Sequence, residues 1–225
     1  MKKRILVVAP HPDDEILGCG GTLLRHIDEG DEVAWMICTK PPEDQQWTKD
    51  FLDQRKKDIL VVSKTMNFMN TYELNFPATK LDQLPASDII SNMSSIFEEF
   101  QPNIIYTPHR GDVHSDHKVI FDCVNACSKW FRYPSIEKLL AYETSSETEF
   151  NYKSNQLFHP NTFIDISPYL DKKLEIMSIY KTEIGNFPFP RSLETLEALA
   201  KWRGSNSGFM AAEAFQLLME RSHVN

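Results

Sequence analysis

The sequence predicts one α/β domain with a mostly parallel central sheet and a C-terminal extension. Three observations predict it. The chain opens with a strand, a helix and a second strand over residues 4–9, about 14–29 and 33–38, an order that makes a parallel βαβ unit. Two further short apolar runs, 103–107 and 139–142, alternate with helical stretches, which extends the parallel pattern. No repeat, low-complexity tract or linker divides the 225 residues, so they form one unit, with a core of about 1–145 and an extension of about 146–225.

The elements follow in order. Ile5-Leu6-Val7-Val8-Ala9 is a continuous apolar run, as a strand covered on both faces requires. Ile16, Leu17, Leu23, Leu24 and Ile27 recur at helical spacing, and Gly30 is placed to end that helix. After the strand at 33–38, residues 41–46 read as a polar loop and about 50–64 as a helix carrying Phe51, Leu52, Ile59, Leu60 and Val61. A third strand is expected over 67–74. Ser87 is the expected N-cap of a helix ending near Phe100. Pro108 closes the strand at 103–107, residues 109–115 are loop, and a helix is expected over about 116–130. The last third reads as a strand at 161–166, a helix from Ser167-Pro168 to about Thr182, a rigid Phe187-Pro188-Phe189-Pro190 loop, and a helix capped by Ser192 and closed by Gly204.

Composition narrows the function. Apolar residues are 41% of the chain, enough for a full core. Lys and Arg total 24 against 32 Asp and Glu, a net −8, which argues against a general nucleic-acid binder. The basic start and apolar run of residues 1–9 are too short for a signal peptide, and no stretch is long enough to span a bilayer. Cys19, Cys38, Cys123 and Cys127 contain no Cys-x-x-Cys pair and read as separate buried thiols. A soluble cytoplasmic protein is therefore expected.

Two segments carry chemistry. His11-Pro12-Asp13-Asp14-Glu15 directly follows the first strand, at the end where parallel sheets bind ligands. One of its aspartates could simply cap the next helix, but that does not explain His11 beside three carboxylates. His109-Arg110-Gly111-Asp112-Val113-His114-Ser115-Asp116-His117 follows the strand at 103–107 and projects from the same sheet edge, with three of the seven histidines in nine residues. One of His114 and His117 can bind metal while the other faces substrate, and Asp116 can fix an imidazole tautomer. Together the segments supply two imidazoles and a carboxylate with a coordination place left for water, the pattern of a catalytic zinc site.

Ala9-Pro10-His11-Pro12-Asp13-Asp14-Glu15 with Gly18-Cys19-Gly20-Gly21, and the later His114-Ser115-Asp116-His117, resemble the two signatures of the PIG-L/LmbE-like zinc N-deacetylases. The resemblance is clear over about residues 4–145 and looser at Pro188-Phe189-Pro190-Arg191 and Ala212-Glu213-Ala214-Phe215. It implies a Rossmann-like three-layer sandwich and hydrolysis of an N-acetyl group from a GlcNAc-like amino sugar or its conjugate. It implies His11, Asp14 and His117 as ligands of Zn2+, and by its donor chemistry such a site could take Fe2+ instead. Asp13 becomes the general base. His114 becomes the group that stabilises or protonates the intermediate, oriented by Asp116. Arg55 resembles an arginine that reaches substrate in relatives, and a homo-oligomer is within the family's range.

Other substrate contacts are expected from position. Arg110 lies in the second motif, and Tyr142-Glu143 ends a strand on the active edge. Arg191 and Arg203 could grip a phosphate of a nucleotide sugar. Trp47, Trp202 and Phe209 could stack on a sugar, with core packing as the plainer role. The glycines at 18, 20 and 21 do not have dinucleotide-binding spacing and suit close helix packing. A metal phosphoesterase and a non-catalytic sugar binder are the competing functions.

Overall fold

A computed structural model describes residues 2–42 and 47–222. Residues 43–46 of the expected polar loop lie outside the described residues, as do Met1 and the last three positions of the domain span. The element order is β1 (Arg4–Ala9), α1 (Asp14–Asp28), β2 (Glu32–Lys40), α2 (Lys49–Thr65), β3 (Asn70–Pro77), α3 (Ala86–Phe100), β4 (Ile104–Pro108), α4 (Ser115–Ala126), β5 (Lys138–Tyr142), β6 (Thr162–Asp165), α5 (Leu170–Met177), α6 (Leu193–Ser205) and β7 (Ala212–Glu220).

The described strands form one sheet in the order β3-β2-β1-β4-β5-β7-β6. The first five are mutually parallel, and β7 runs antiparallel between β5 and β6. Alternation along β1 splits the core into two layers. Ile5, Val7 and Ala9 pack with apolar residues of α1, α2, α5 and α6 on one face. Leu6 and Val8 pack with those of α3 and α4 on the other. The result is the expected three-layer α/β sandwich with a mostly parallel sheet.

The chain runs outward from β1 to β2 and β3 on one side, and from β4 to β5 on the other. The crevice beyond the carboxyl ends of β1 and β4 is therefore the topological switch point, where such sheets bind ligands. Both motifs leave the sheet there.

Several boundaries differ from the sequence reading. Asn67 adopts φ 55 and ends α2, with Phe68 N–H donating back to Ser63 O, so β3 starts later than expected. Pro85, not Ser87, is the N-cap of α3, and the Ser87 hydroxyl turns to Asp88. The fourth helix stops at Ala126, where Ser128 donates its hydroxyl to Val124 O. Beyond it Trp130 and Phe131 are exposed. Ile166, not Ser167, is the N-cap of the next segment, and Asp165 accepts Ser167 N–H just before it. That segment is a 3-10 turn followed by a short α5, and the chain then turns to bury Tyr180. Ser192 caps α6 as expected, by accepting Thr195 N–H at 3.1 Å. Gly204 lies inside α6 and does not close it, and a Cβ there would meet the backbone of Phe209 and Ala211. Gly30 ends α1 at φ 87.

The region beyond residue 145 supplies two of the seven described strands. The glycines at 18 and 21 serve close packing: a Cβ on Gly18 would strike the Tyr142 ring and one on Gly21 would strike Ile166. In the same helix, α1 kinks at Cys19, and Glu213 of β7 accepts the N–H groups of Gly21 and Thr22 beyond the kink. Among the described residues no helix is long and apolar enough to cross a membrane.

Candidate active site

The turn after β1 is under backbone strain at its centre. Asp13 occupies φ 134, ψ −30, a conformation L-residues rarely adopt. Glu15 pins it by accepting Asp13 N–H at Oε2, while its Oε1 accepts the Tyr180 hydroxyl at 2.7 Å. Burial pushes the Glu15 carboxyl up to about 8. Although Asp13 is the N-cap of α1, its side chain makes no capping bond. The carboxylate instead accepts from Arg191 Nη1 at 2.9 Å at the edge of the cleft. Burial first and Asp14 second push its pKa up to about 7, against the pull of Arg55 and Arg191. The helix-capping explanation of this motif therefore fails for Asp13.

Three atoms converge beside it. Asp14 Oδ2 lies 3.3 Å from His11 Nδ1 and 3.4 Å from His117 Nε2. The far nitrogen of each imidazole is held by a carboxylate: His11 Nε2 by Asp116 at 3.1 Å, and His117 Nδ1 by Asp112 at 2.8 Å. Each of those nitrogens then carries the hydrogen, and the inward nitrogens are left as lone-pair donors. With no cation present the site draws in protons instead. Burial opposes charge on His11, but its bonds to Asp116 and Asp14 outweigh it and push its pKa up to about 9. His117 shifts upward likewise against burial, through Asp14 and Asp112.

These donors fit a metal. Among the described residues two further clusters bring ligand atoms within 4.8 Å of one another, His11/His114/Asp116 and His26/Glu29/Asp31. In the first, Asp116 already accepts backbone N–H groups from Thr79 and Leu81 as well as His11. In the second, His26 is bound at both nitrogens, by Asp31 and the Tyr106 hydroxyl. Among the described residues, His11 Nδ1, Asp14 Oδ2 and His117 Nε2 turn towards one another, with Asp14 Oδ2 also accepting the His11 backbone N–H at 2.8 Å.

His114 is the N-cap of α4, and its Nδ1 accepts Asp116 N–H at 3.1 Å. Its Nε2 therefore carries the hydrogen. Burial and the neighbouring His11 and His117 push its pKa down to about 4, so the ring is neutral. This corrects the expected pairing: the Asp116 carboxylate orients His11, and it is the Asp116 backbone that orients His114. His109, the remaining histidine of the motif, is buried away from the cluster and bonds Gln156 O.

The cluster opens into a cleft of about 470 Å³. Arg55 lines it from α2, donating to Glu183 at 2.8 Å, and Arg191 bridges Glu183 and Asp13. Trp47 and Phe51 stack at 4.5 Å on the same wall. Other expected contacts lie elsewhere. Arg110 points to the surface and pairs with Asp122. Tyr142 is fully buried, packs on Gly18 and donates to Val8 O. Glu143 and Arg203 pair with each other in a neighbouring cavity of about 490 Å³ that Trp202 also lines. Phe209 lines neither cavity and packs its carbonyl against Gly204.

Sequence reasoning gave no role to Asp112, Glu15, Tyr180, Glu183 or Glu147. Asp112 and Glu15 stood inside the motifs. Tyr180, Glu183 and Glu147 lie beyond residue 145, where no spacing pointed to the site.

The model of the PIG-L family, described as GlcNAc-PI de-N-acetylase, matches residues 6–128. An uncharacterized deacetylase of Escherichia coli, YaiS, is 29% identical over 150 residues, 64% of this chain and 76% of that protein. The N,N'-diacetylchitobiose deacetylase of Pyrococcus horikoshii superposes with a TM-score of 0.77 at 20% identity, covering 96% of this chain and 84% of its own. The 4-carboxy-2-hydroxymuconate hydratase GalB of Pseudomonas putida superposes as well, at 0.77 and 16% identity, over 100% and 99% of the two chains. These two structures share the fold.

Proposed function

The chain belongs to the PIG-L (GlcNAc-PI de-N-acetylase) family, and from that membership we propose that it is a metal-dependent hydrolase that removes an N-acetyl group from an amino sugar or its conjugate. The observation that carries the reading is the convergence of His11 Nδ1, Asp14 Oδ2 and His117 Nε2 beside an aspartate with a pKa of about 7. His11, Asp14 and His117 would hold the cation, Zn2+ by the chemistry of two imidazoles and a carboxylate, with Fe2+ as the alternative. When bound, such a cation lowers the pKa of water and polarises the amide carbonyl.

The chain's own groups do the rest. Asp13 takes the proton of the attacking water, at a pKa suited to a base near neutrality. Arg191 keeps the Asp13 carboxylate aimed at the cleft. His114 donates its Nε2–H to the oxygen that becomes negative as the acyl carbon turns tetrahedral, as a neutral, pre-aimed donor. Asp13 then passes its proton to the leaving nitrogen, and acetate and a free amino sugar result. A cytoplasmic setting belongs to this reading and is supported by the four buried, free cysteines.

A hydratase shares the fold, so product analysis decides the reaction class. The metal-loaded protein is assayed with N-acetylglucosamine, N,N'-diacetylchitobiose and UDP-N-acetylglucosamine for free amine and acetate. Equal release of both, abolished by chelator, is expected. Asp13→Asn should lower turnover by about 10²–10⁴-fold with metal content unchanged. No amine from any substrate by fully loaded protein contradicts the reading.

A further inference from the structure

The arginines that the sequence offered to an anionic substrate each already pair with a carboxylate, although the buried Arg191 Nε makes no hydrogen bond. Two guanidiniums in the cleft, Arg55 and Arg191, face two carboxylates, Glu183 and Asp13. Next door, Arg203 is held by both oxygens of Glu143. Lys80, on the cleft wall, is engaged as well.

The turn after β5 has the opposite property. Glu147 lines the cleft, and its carboxylate makes no hydrogen bond or ion pair among the described residues. Its backbone is fixed: Glu147 N–H donates to Thr144 O at 3.1 Å, and Val113 N–H donates to Glu147 O. Ser146, at φ 79, and Thr144 line the same cleft, and their hydroxyls are buried without partners. The unpaired Glu147 carboxylate thus stands at the wall of the space that a substrate must occupy, while the two buried hydroxyls are shut off from it. Sugar hydroxyls can donate to that carboxylate. A phosphate or carboxylate cannot donate to Glu147 and is repelled by it in a partly desolvated cleft.

We propose that Glu147 is a specificity residue that hydrogen-bonds substrate hydroxyls and makes this site selective for N-acetyl amino sugars whose aglycone carries no negative charge. The proposal rests on the deacetylase reading.

Two ligands alike at the amide separate the cases: methyl 2-acetamido-2-deoxy-glucoside and N-acetylglucosamine 1-phosphate. With metal-loaded wild type, kcat/KM should favour the methyl glycoside by about tenfold or more. Glu147→Gln should narrow that ratio several-fold, lowering KM for the phosphate and raising it for the glycoside. Metal content and melting temperature should match wild type, because the side chain makes no hydrogen bond or ion pair among the described residues and feels His117 and Arg191 only at longer range. Preference for the phosphate, or a ratio that Glu147→Gln leaves alone, overturns the proposal. If neither compound releases amine, the deacetylase reading fails. Calorimetric binding of the same two compounds to both proteins then decides the selectivity on the same criteria.

Discussion

His117 can offer Nε2 to a cation only while its other nitrogen keeps the hydrogen, and Asp112 keeps it there at 2.8 Å. Asp112 is itself fixed by the Thr148 hydroxyl. Asp112→Ala should therefore weaken metal affinity by about 10–100-fold while the fold persists, measured by competition with a chelating dye. The same atoms give a pH dependence. In the cation-free protein His11 is charged below about pH 9, and a ligand must be neutral. Raising pH towards 9 removes the proton and favours metal, and lowering it opposes binding. Affinity should fall about tenfold per pH unit for each proton displaced. A flat affinity between pH 6 and 9 would show that no such proton is there. The motifs and their residue types were legible in the sequence at this scale, and the partner of each imidazole was not. Asp116 lies between His114 and His117 in sequence, yet the first turn of α4 swings its carboxylate to His11, 105 residues away.

Elements decide where those side chains stand. The kink of α1 at Cys19 leaves backbone N–H groups to be satisfied, and Glu213 accepts two of them. Lys173 of α5 offsets the Glu213 charge at 2.6 Å and donates to Leu17 O. Both side chains are about 95% buried. Glu213→Ala should destabilise by about 3–5 kcal/mol in urea unfolding, because it strands a buried ammonium. A loss below about 1 kcal/mol would show that water or another group replaces the carboxylate. This strand was the element the sequence concealed. Ala-Glu-Ala-Phe-Gln-Leu-Leu-Met-Glu has neither strict alternation nor β-branched residues, so nothing local marks β7. Long apolar runs such as β1 and capped helices such as α6 were legible because their signals are local. The start of β3 and the end of α4 are set by turns, and they shifted.

At the scale of the whole molecule, the sheet order explains why two segments 100 residues apart form one site. Strands β1 and β4 are parallel neighbours at the switch point, so both following loops enter the same crevice. That placement was legible, since each motif follows a recognisable buried strand. Arg191 was legible as a substrate contact, but Glu183, which reaches the crevice from an irregular segment after α5, and Tyr180, which holds Glu15 from full burial, were not. Fold alone does not select the reaction, as the likeness to a hydratase makes plain. On the proposed reading the selection lies in the donor set and in Asp13. The most direct measurement is anomalous diffraction from a crystal of the protein grown with Zn2+. The account predicts one strong peak bonded to His11 Nδ1, Asp14 Oδ2 and His117 Nε2, with Asp13 beside it and unbonded. A peak at His26 and Asp31 instead, or none in the crevice, would contradict it.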